Sequence, residues 1–356
     1  MARFFTPLGN SMRSRKTIKE IAEISGFSTA TVDRVINGRD GVKDETRKKI
    51  LLTARQVSYK NIAVREDAAS KKILTAALFV PDTDNEFINR LIAEIREKCL
   101  SDPTLAVEVH CYENLNAKSL ALFLNRLDTG GIDVVGLIGV DDPQVSIVLN
   151  RMIKNDIKII TLLSTISGIT PVCHIGMNDY AAGRTAGLLM SRTVNRTTGN
   201  VLVFTGSLQY QGHLQREIGF RSLMRESGIA ITMADAYETL EDRSHTFSFA
   251  KEQLSGVKNI AGIYVIGSGA AEVIDAMDEL ALNEKPIFIC HDLTESVMKK
   301  LFSGKVDYII HQDLHIESSN FIRVLHNIQC DAEYISGLFP VRINVVTSEN
   351  IYNDEV

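Results

Sequence analysis

From Ile73 onward, continuous apolar runs of strand length alternate with amphipathic stretches of helix length, and this alternation restricts the fold more than any other feature of the chain. The runs are ILTAALFV, LAVEVHCY, IDVVGLIGV, IKIITLL, VCHIG, NVLVFTG, AGIYVIG, KPIFICH and VDYIIHQ, with helical segments such as EFINRLIAEIREKC between most of them. Strands apolar on both faces belong to parallel sheets covered by helices on either side. About eleven such strands exceed one doubly wound sheet, so the expected body, residues 73–356, is α/β with two lobes of parallel sheet. The expected division is about 73–176 with 294–312 for one lobe, and about 177–293 with 313–356 for the other. Ligands in such sheets bind beyond the carboxyl ends of the strands.

A different regime precedes this body. TIKEIAEISG, STATVDRVING and DETRKKILLTARQVS read as three short helices over residues 17–59. Thr17 and Glu20 form a capping box, Ile18, Ile21, Ala22 and Ile24 recur at helical spacing, and Gly26 supplies the turn. Ser28 is placed to cap the second helix, with Val32, Val35 and Ile36 facing inward and Asn37 and Gly38 at its end. The third helix is expected from Asp44, burying Ile50, Leu51 and Ala54. Two helices joined by a glycine turn, the second opening on small and polar residues, describe a helix-turn-helix that reads the major groove. Charge agrees with this. Residues 1–60 carry 13 Lys+Arg against 6 Asp+Glu, a net of +7, whereas the whole chain is at −5. A basic module on an acidic body fits a chain in which only the module meets a polyanion. Residues 1–16 form a basic N-terminal tail, and residues 60–72 a polar hinge or linker.

The stretch TIKEIAEISGFSTATVDRVINGRDGVKDETRKKI resembles the N-terminal signature of the LacI family of bacterial regulators nearly position by position, and the body is similar to that family's periplasmic-binding-protein-like sensor. The resemblance covers essentially all of the chain from Thr17. It implies a homodimer on double-stranded operator DNA, with base readers at Thr29 and Ala30, the motif's arginine at Arg34, and phosphate-contacting or supporting positions at Thr17, Ser28, Thr31 and Asn37. Asp33 stands where the family usually has serine. An acid there is unfavourable near phosphates unless it accepts from a cytosine amino group or pairs with Arg34. The hinge departs as well: the family's Tyr-x-Pro-Asn-x-x-Ala-Arg-x-Leu becomes YKNIAVREDA, so Ala68 replaces the leucine that wedges into the minor groove. Weaker DNA bending, or a wedge supplied by Ile62, follows.

For the sensor, the resemblance implies a small ligand between the lobes, a sugar, polyol or sugar derivative. Positions carried over are Asn85 and Phe87 in PDTDNEF, Asp179 in GMNDYAAGRTAG, Arg216 in QREIGF, Asp292 in ICHDLT and Gln312 in IIHQD. The family's Asp-Arg pair after the fourth strand appears as Leu163-Ser164, and its lobe-two asparagine as Gly267-Ser268, so Ser164 and Ser268 complete the expected set. Arg216 leaves an acidic ligand open.

Other classes find little support in the sequence. Glu272 occupies the third glycine position of a dinucleotide fingerprint in GIYVIGSGAAE, and there is no Gly-Lys-Ser/Thr phosphate loop. Neither G-x-S-x-G nor CxxC occurs. A nucleotide-dependent enzyme or a solute-binding protein with a non-DNA helical module is the alternative. No catalytic residue, metal site or cofactor is expected. The five cysteines are scattered, no apolar stretch reaches membrane-spanning length, and the opening segment lacks the apolar core of a signal peptide, so a cytoplasmic protein without membrane contact is expected. The final segment, TSENIYNDEV, has no leucine heptad, which favours a dimer over a coiled-coil tetramer.

Overall fold

The computed structural model describes residues 17–37, 39, 41–43, 46–47, 49–50, 53–54, 73–195, 198–282, 284–331 and 337–351. The tail 1–16, Asp44, Leu51 and the hinge residues Ile62 and Ala68 lie outside them. The chain divides into two compact units, residues 1–71 and 72–356.

In the first unit, α1 (Ile18–Ser25) begins at Thr17, whose hydroxyl accepts from the Glu20 amide while the Glu20 carboxylate accepts from the Thr17 amide at 2.7 Å. Gly26 ends it in the left-handed region at φ 73°, where a side chain would be strained, and its amide donates to the Ala22 carbonyl. The second helix, α2 (Thr29–Ile36), begins at Ser28, whose Oγ accepts from the Thr31 amide at 3.1 Å. Residues 46–47, 49–50 and 53–54 are also helical. Ile21, Ala22, Val32, Val35, Ile36, Ile50 and Ala54 close one small core. With so few residues, each cap carries weight. Ser28→Ala is expected to cost about 1 kcal/mol, visible as a lower melting transition for this unit with that of the body unchanged.

The second unit holds thirteen strands among its described residues, in two sheets. The first combines β1 (Leu74–Asp82), β2 (Leu105–Glu113), β3 (Val134–Leu137), β4 (Lys158–Leu162), β5 (Cys173–Met177) and β12 (Gly337–Val341), in the order 12-5-4-3-1-2. The second combines β6 (Gly199–Thr205), β7 (Ile231–Met233), β8 (Tyr237–Glu238), β9 (Ile260–Ile266), β10 (Ile287–His291), β11 (Tyr308–His311) and β13 (Asn344–Val346), in the order 13-11-10-9-6-7, with β8 also beside β6. Every pairing is parallel except that of β11 with β13. The helices are α3 (Glu86–Leu100), α4 (Ala117–Arg126), α5 (Pro143–Lys154), α6 (Asp179–Thr193), α7 (Gln211–Glu226), α8 (Arg243–Gly256), α9 (Ala270–Leu280), α10 (Glu295–Phe302) and α11 (Leu314–Gln329).

The lobe boundaries differ from the sequence expectation. Residues 294–312 belong to the second lobe: β11 pairs with β10, and Val297 and Leu301 of α10 enter that lobe's core. Residues 314–331 and 337–341 belong to the first: α11 sends Leu314, Phe321, Val324 and Leu325 into the first core, and β12 pairs with β5. Local periodicity identifies a strand without naming its partner, which is chosen by long-range pairing. The chain thus crosses between lobes at residue 178, at 312–313 and at 342–343.

Helices α6 and α7 approach with backbone in contact. A Cβ on Gly183 would lie 1.9 Å from the Arg216 carbonyl oxygen, and one on Gly219 would lie 2.2 Å from that of Tyr180. This close crossing sets Asp179 beside Arg216.

Candidate functional site

On the first unit, Thr17, Ser28, Thr29, Ala30, Arg34 and Asn37 are exposed, while Thr31 and Asp33 are half-buried. Thr17 and Ser28 both serve as helix caps. Thr29 and Ala30 occupy the first turn of α2, and Arg34 lies one turn further on. Asp33 does not pair with Arg34, as one sequence reading had it. Its carboxylate accepts from Asn37 Nδ2 at 2.8 Å and faces Arg39 at 3.4 Å. The acid is therefore offset by a residue beyond the helix, which a spacing argument confined to α2 does not reach.

On the second unit, the loops at the carboxyl ends of both sheets meet across a cleft. Asn85 caps α3, its Oδ1 accepting from the Phe87 and Ile88 amides, and its Nδ2 crosses the cleft to donate to Glu241 at 3.1 Å. Ser164, after β4, accepts from the Gly212 amide at 3.4 Å, and Tyr210 donates to Asn114 at 3.3 Å. Asp141 accepts from Gln211 and donates its amide to the Gln209 carbonyl. These bonds all join one lobe to the other, and they describe a closed cleft.

Two small adjoining cavities, both open to solvent, occupy it. Asn85, Phe87, Ser164, Arg216, Asp292 and Gln312 line one, and Ser268 lines the other beside Asn85, Phe87 and Asp292. Asp179 lines neither. It stands behind Arg216, accepting from Nε at 2.7 Å; the Arg216 side chain is buried and that of Asp179 half-buried. Asp292 follows β10 in the left-handed region at φ 63°, and Gln312 Nε2 donates to it at 3.2 Å, leaving Gln312 Oε1 buried without a partner among the described residues. Thr294, not Asp292, caps α10.

Burial dominates the electrostatics. It pushes Asp292 up to about 6 against the opposing pull of Arg216. It holds His213 low, and it holds His291 well below the ordinary imidazole range, helped by the charge of Arg216. Glu317, buried with neither carboxyl oxygen partnered among the described residues, is raised well above the carboxylate range by burial and then by Asp292.

Because the fold raises Asp292 from 3.8 to about 6, it favours the protonated form. That contribution is complete below pH 3.8 and is lost as pH rises through 6. The buried histidines, whose values are lowered, run the opposite way, losing stability as pH falls, but they are common to wild type and variant. Asp292→Asn, neutral at every pH, should therefore gain on wild type between pH 4 and 7 by on the order of 3 kcal/mol, read by urea unfolding at each pH. A difference flat across that window would contradict the buried, raised Asp292.

Glu241 and His213 also line the cleft, and Glu241 was not anticipated from the sequence. Glu241 follows the two-residue β8 rather than an apolar run, so the strand-end rule passes over it. His213, on α7, lies three residues before Arg216 and has no motif of its own.

Comparison with known proteins covers both units. Residues 17–61 match the model of bacterial regulatory proteins of the lacI family, and residues 76–332 match that of a periplasmic binding protein domain. Catabolite control protein A of Priestia megaterium is 24% identical over 267 residues, 75% of each chain. An ABC transporter solute-binding protein from Burkholderia graminis C4D1M, solved in complex with D-arabinose, superposes with a TM-score of 0.73 at 19% identity, over 80% of this chain and 98% of its own. A structure described as a LacI transcriptional regulator from Bacteroides fragilis superposes with a TM-score of 0.66 at 21% identity, over 78% of this chain and 98% of its own. The structural likenesses establish the two-lobed fold, and the sequence matches point to regulators rather than enzymes. With its helix-turn-helix module and its binding-protein body, the chain belongs to the LacI family of bacterial regulatory proteins, DNA-binding transcription regulators.

Proposed function

We propose that this regulator is a cytoplasmic homodimer that represses genes of carbohydrate or polyol use and changes its operator affinity when a small ligand occupies the inter-lobe cleft. One observation carries the ligand part of the proposal. Seven residues that follow six different strands, Asn85, Phe87, Ser164, Arg216, Ser268, Asp292 and Gln312, line adjoining cavities, and among the described residues the buried amide oxygen of Gln312 has no hydrogen-bond partner. Phe87 offers an apolar face for C–H groups, and the polar residues offer directed hydrogen bonds, the mixture that carbohydrate sites use. The solute-binding protein of the same fold holds D-arabinose. In the DNA module, Thr29, Ala30 and Arg34 are proposed to reach base edges, with Thr17, Ser28, Thr31 and Asn37 at or near phosphates. Asp33, balanced by Asn37 and Arg39, is proposed to shape operator choice.

A dimer would place two recognition helices about one turn of DNA, roughly 34 Å, apart on an imperfect palindrome. Ligand control requires differential affinity for the DNA-competent and DNA-incompetent forms. The test pairs thermal shift against a panel of sugars and polyols with anisotropy titration of a labelled operator. A compound that raises the melting temperature is expected to change operator affinity at least tenfold, about 1.4 kcal/mol. A compound that binds and leaves operator affinity unchanged would remove the proposed coupling. Sedimentation of a DNA-bound monomer would remove the dimer.

A further inference from the structure

The cleft is built around a carboxylate that no motif announced. Glu241 is buried and lines both cavities, and residues 240 and 241 both lie in the left-handed backbone region, at φ 60° and 56°. Two consecutive non-glycine residues in that region persist only where surrounding structure holds them. The surroundings are cleared for this side chain: a Cβ on Gly206 would lie 1.6 Å from Glu241 Oε1, and one on Gly267 would lie 2.7 Å from the same oxygen. Oε2 accepts from Asn85 Nδ2 and Ser268 Oγ. Among the described residues, Oε1 has the Ser268 amide at 3.5 Å and His213 Nε2 at 3.9 Å, both long contacts that leave its accepting capacity largely unused.

The charges lining the cavities are unequal. Asp84, Glu86, Glu241, Glu272 and Asp292 supply five carboxyl groups, against the guanidinium groups of Arg216 and Arg243. Both guanidiniums already have carboxylate partners: Asp179 for Arg216 and Glu272 for Arg243. An incoming carboxylate or phosphate would meet five carboxyl groups against two guanidiniums, each already joined through its Nε to a carboxylate, whereas hydroxyl or ammonium groups would find acceptors at Glu241, Asp292 and Gln312. We infer that Glu241 is a ligand-recognition residue and that the cleft takes an uncharged or amino-bearing carbohydrate or polyol while rejecting sugar acids and sugar phosphates. This rests on the proposed function above, and it closes the acidic-ligand option that Arg216 alone leaves open.

The experiment uses the full chain and a panel in which the same carbon frames recur with different charge. D-glucose, D-galactose, D-mannose, D-ribose and myo-inositol represent the neutral members, with the 2-amino hexoses, the hexuronates and the 6-phosphates (5-phosphate for ribose) alongside. Thermal shift at equal concentration identifies binders, and calorimetric titration gives their dissociation constants for wild type and Glu241→Gln. Every binder is expected to be neutral or amino-bearing, with its dissociation constant at least tenfold higher in Glu241→Gln. A uronate or phosphate among the binders overturns the inference and leaves the carbohydrate reading standing. A neutral or amino-bearing binder whose affinity is unchanged in the variant removes Glu241 from recognition. A panel without a single binder overturns the carbohydrate reading, and the inference falls with it.

Discussion

Replacing Arg216 with alanine is expected to destabilise the sensor body by about 3 to 5 kcal/mol and to abolish its thermal response to ligand. The guanidinium is 3% exposed as a residue and donates to Asp179 at 2.7 Å. Removing it leaves the Asp179 carboxylate, largely shielded from solvent, without its partner, and an uncompensated shielded charge costs far more than the pair itself contributes. The diagnostic is the double variant. Asp179→Ala combined with Arg216→Ala should lose markedly less than the sum of the two single changes, because each single change strands a charge and the pair strands none. Urea unfolding of the four proteins measures this. Additive losses would show that Arg216 acts through packing alone.

The second large effect belongs to a residue without a side chain. Gly183→Ala is expected to cost about 3 kcal/mol or more, since the new methyl would sit 1.9 Å from a backbone carbonyl that cannot rotate away. Helices α6 and α7 would have to separate, and the Asp179–Arg216 contact would lengthen with them. The variant should therefore lose ligand affinity as well as stability, although Gly183 touches neither cavity. Gly228→Ala makes a useful contrast. A Cβ there meets nothing within 4 Å, and only its φ of 70° opposes the change, so its effect on the cleft should be absent.

Much of this organisation is legible in the sequence because its causes are local. The apolar runs that became β1, β4, β5, β6, β9, β10 and β11 announce themselves by composition, as do the caps Thr17 and Ser28. The strand-end rule, joined to the family resemblance, names the residues that line the cleft. It fails where cause is distant. Nothing within residues 294–341 says that β11 pairs with β10 while β12 returns to β5, and the lobe assignment was reversed for that reason. Asp179 reads as a cleft residue from its place after β5, yet the α6–α7 crossing turns it to the rear of Arg216. Glu241 follows a strand too short to carry a pattern, and its left-handed backbone leaves no compositional mark.

The three crossings between lobes also bear on how the protein is made. The first sheet is incomplete until β12 joins β5, and the second until β13 joins β11. At about 5–20 residues per second, the helical module emerging first has tens of seconds on the ribosome before residue 346 is made. The module's own small core needs nothing from that later chain. Each new copy is thus able to close its small helical core well before the sheets of its sensor are complete.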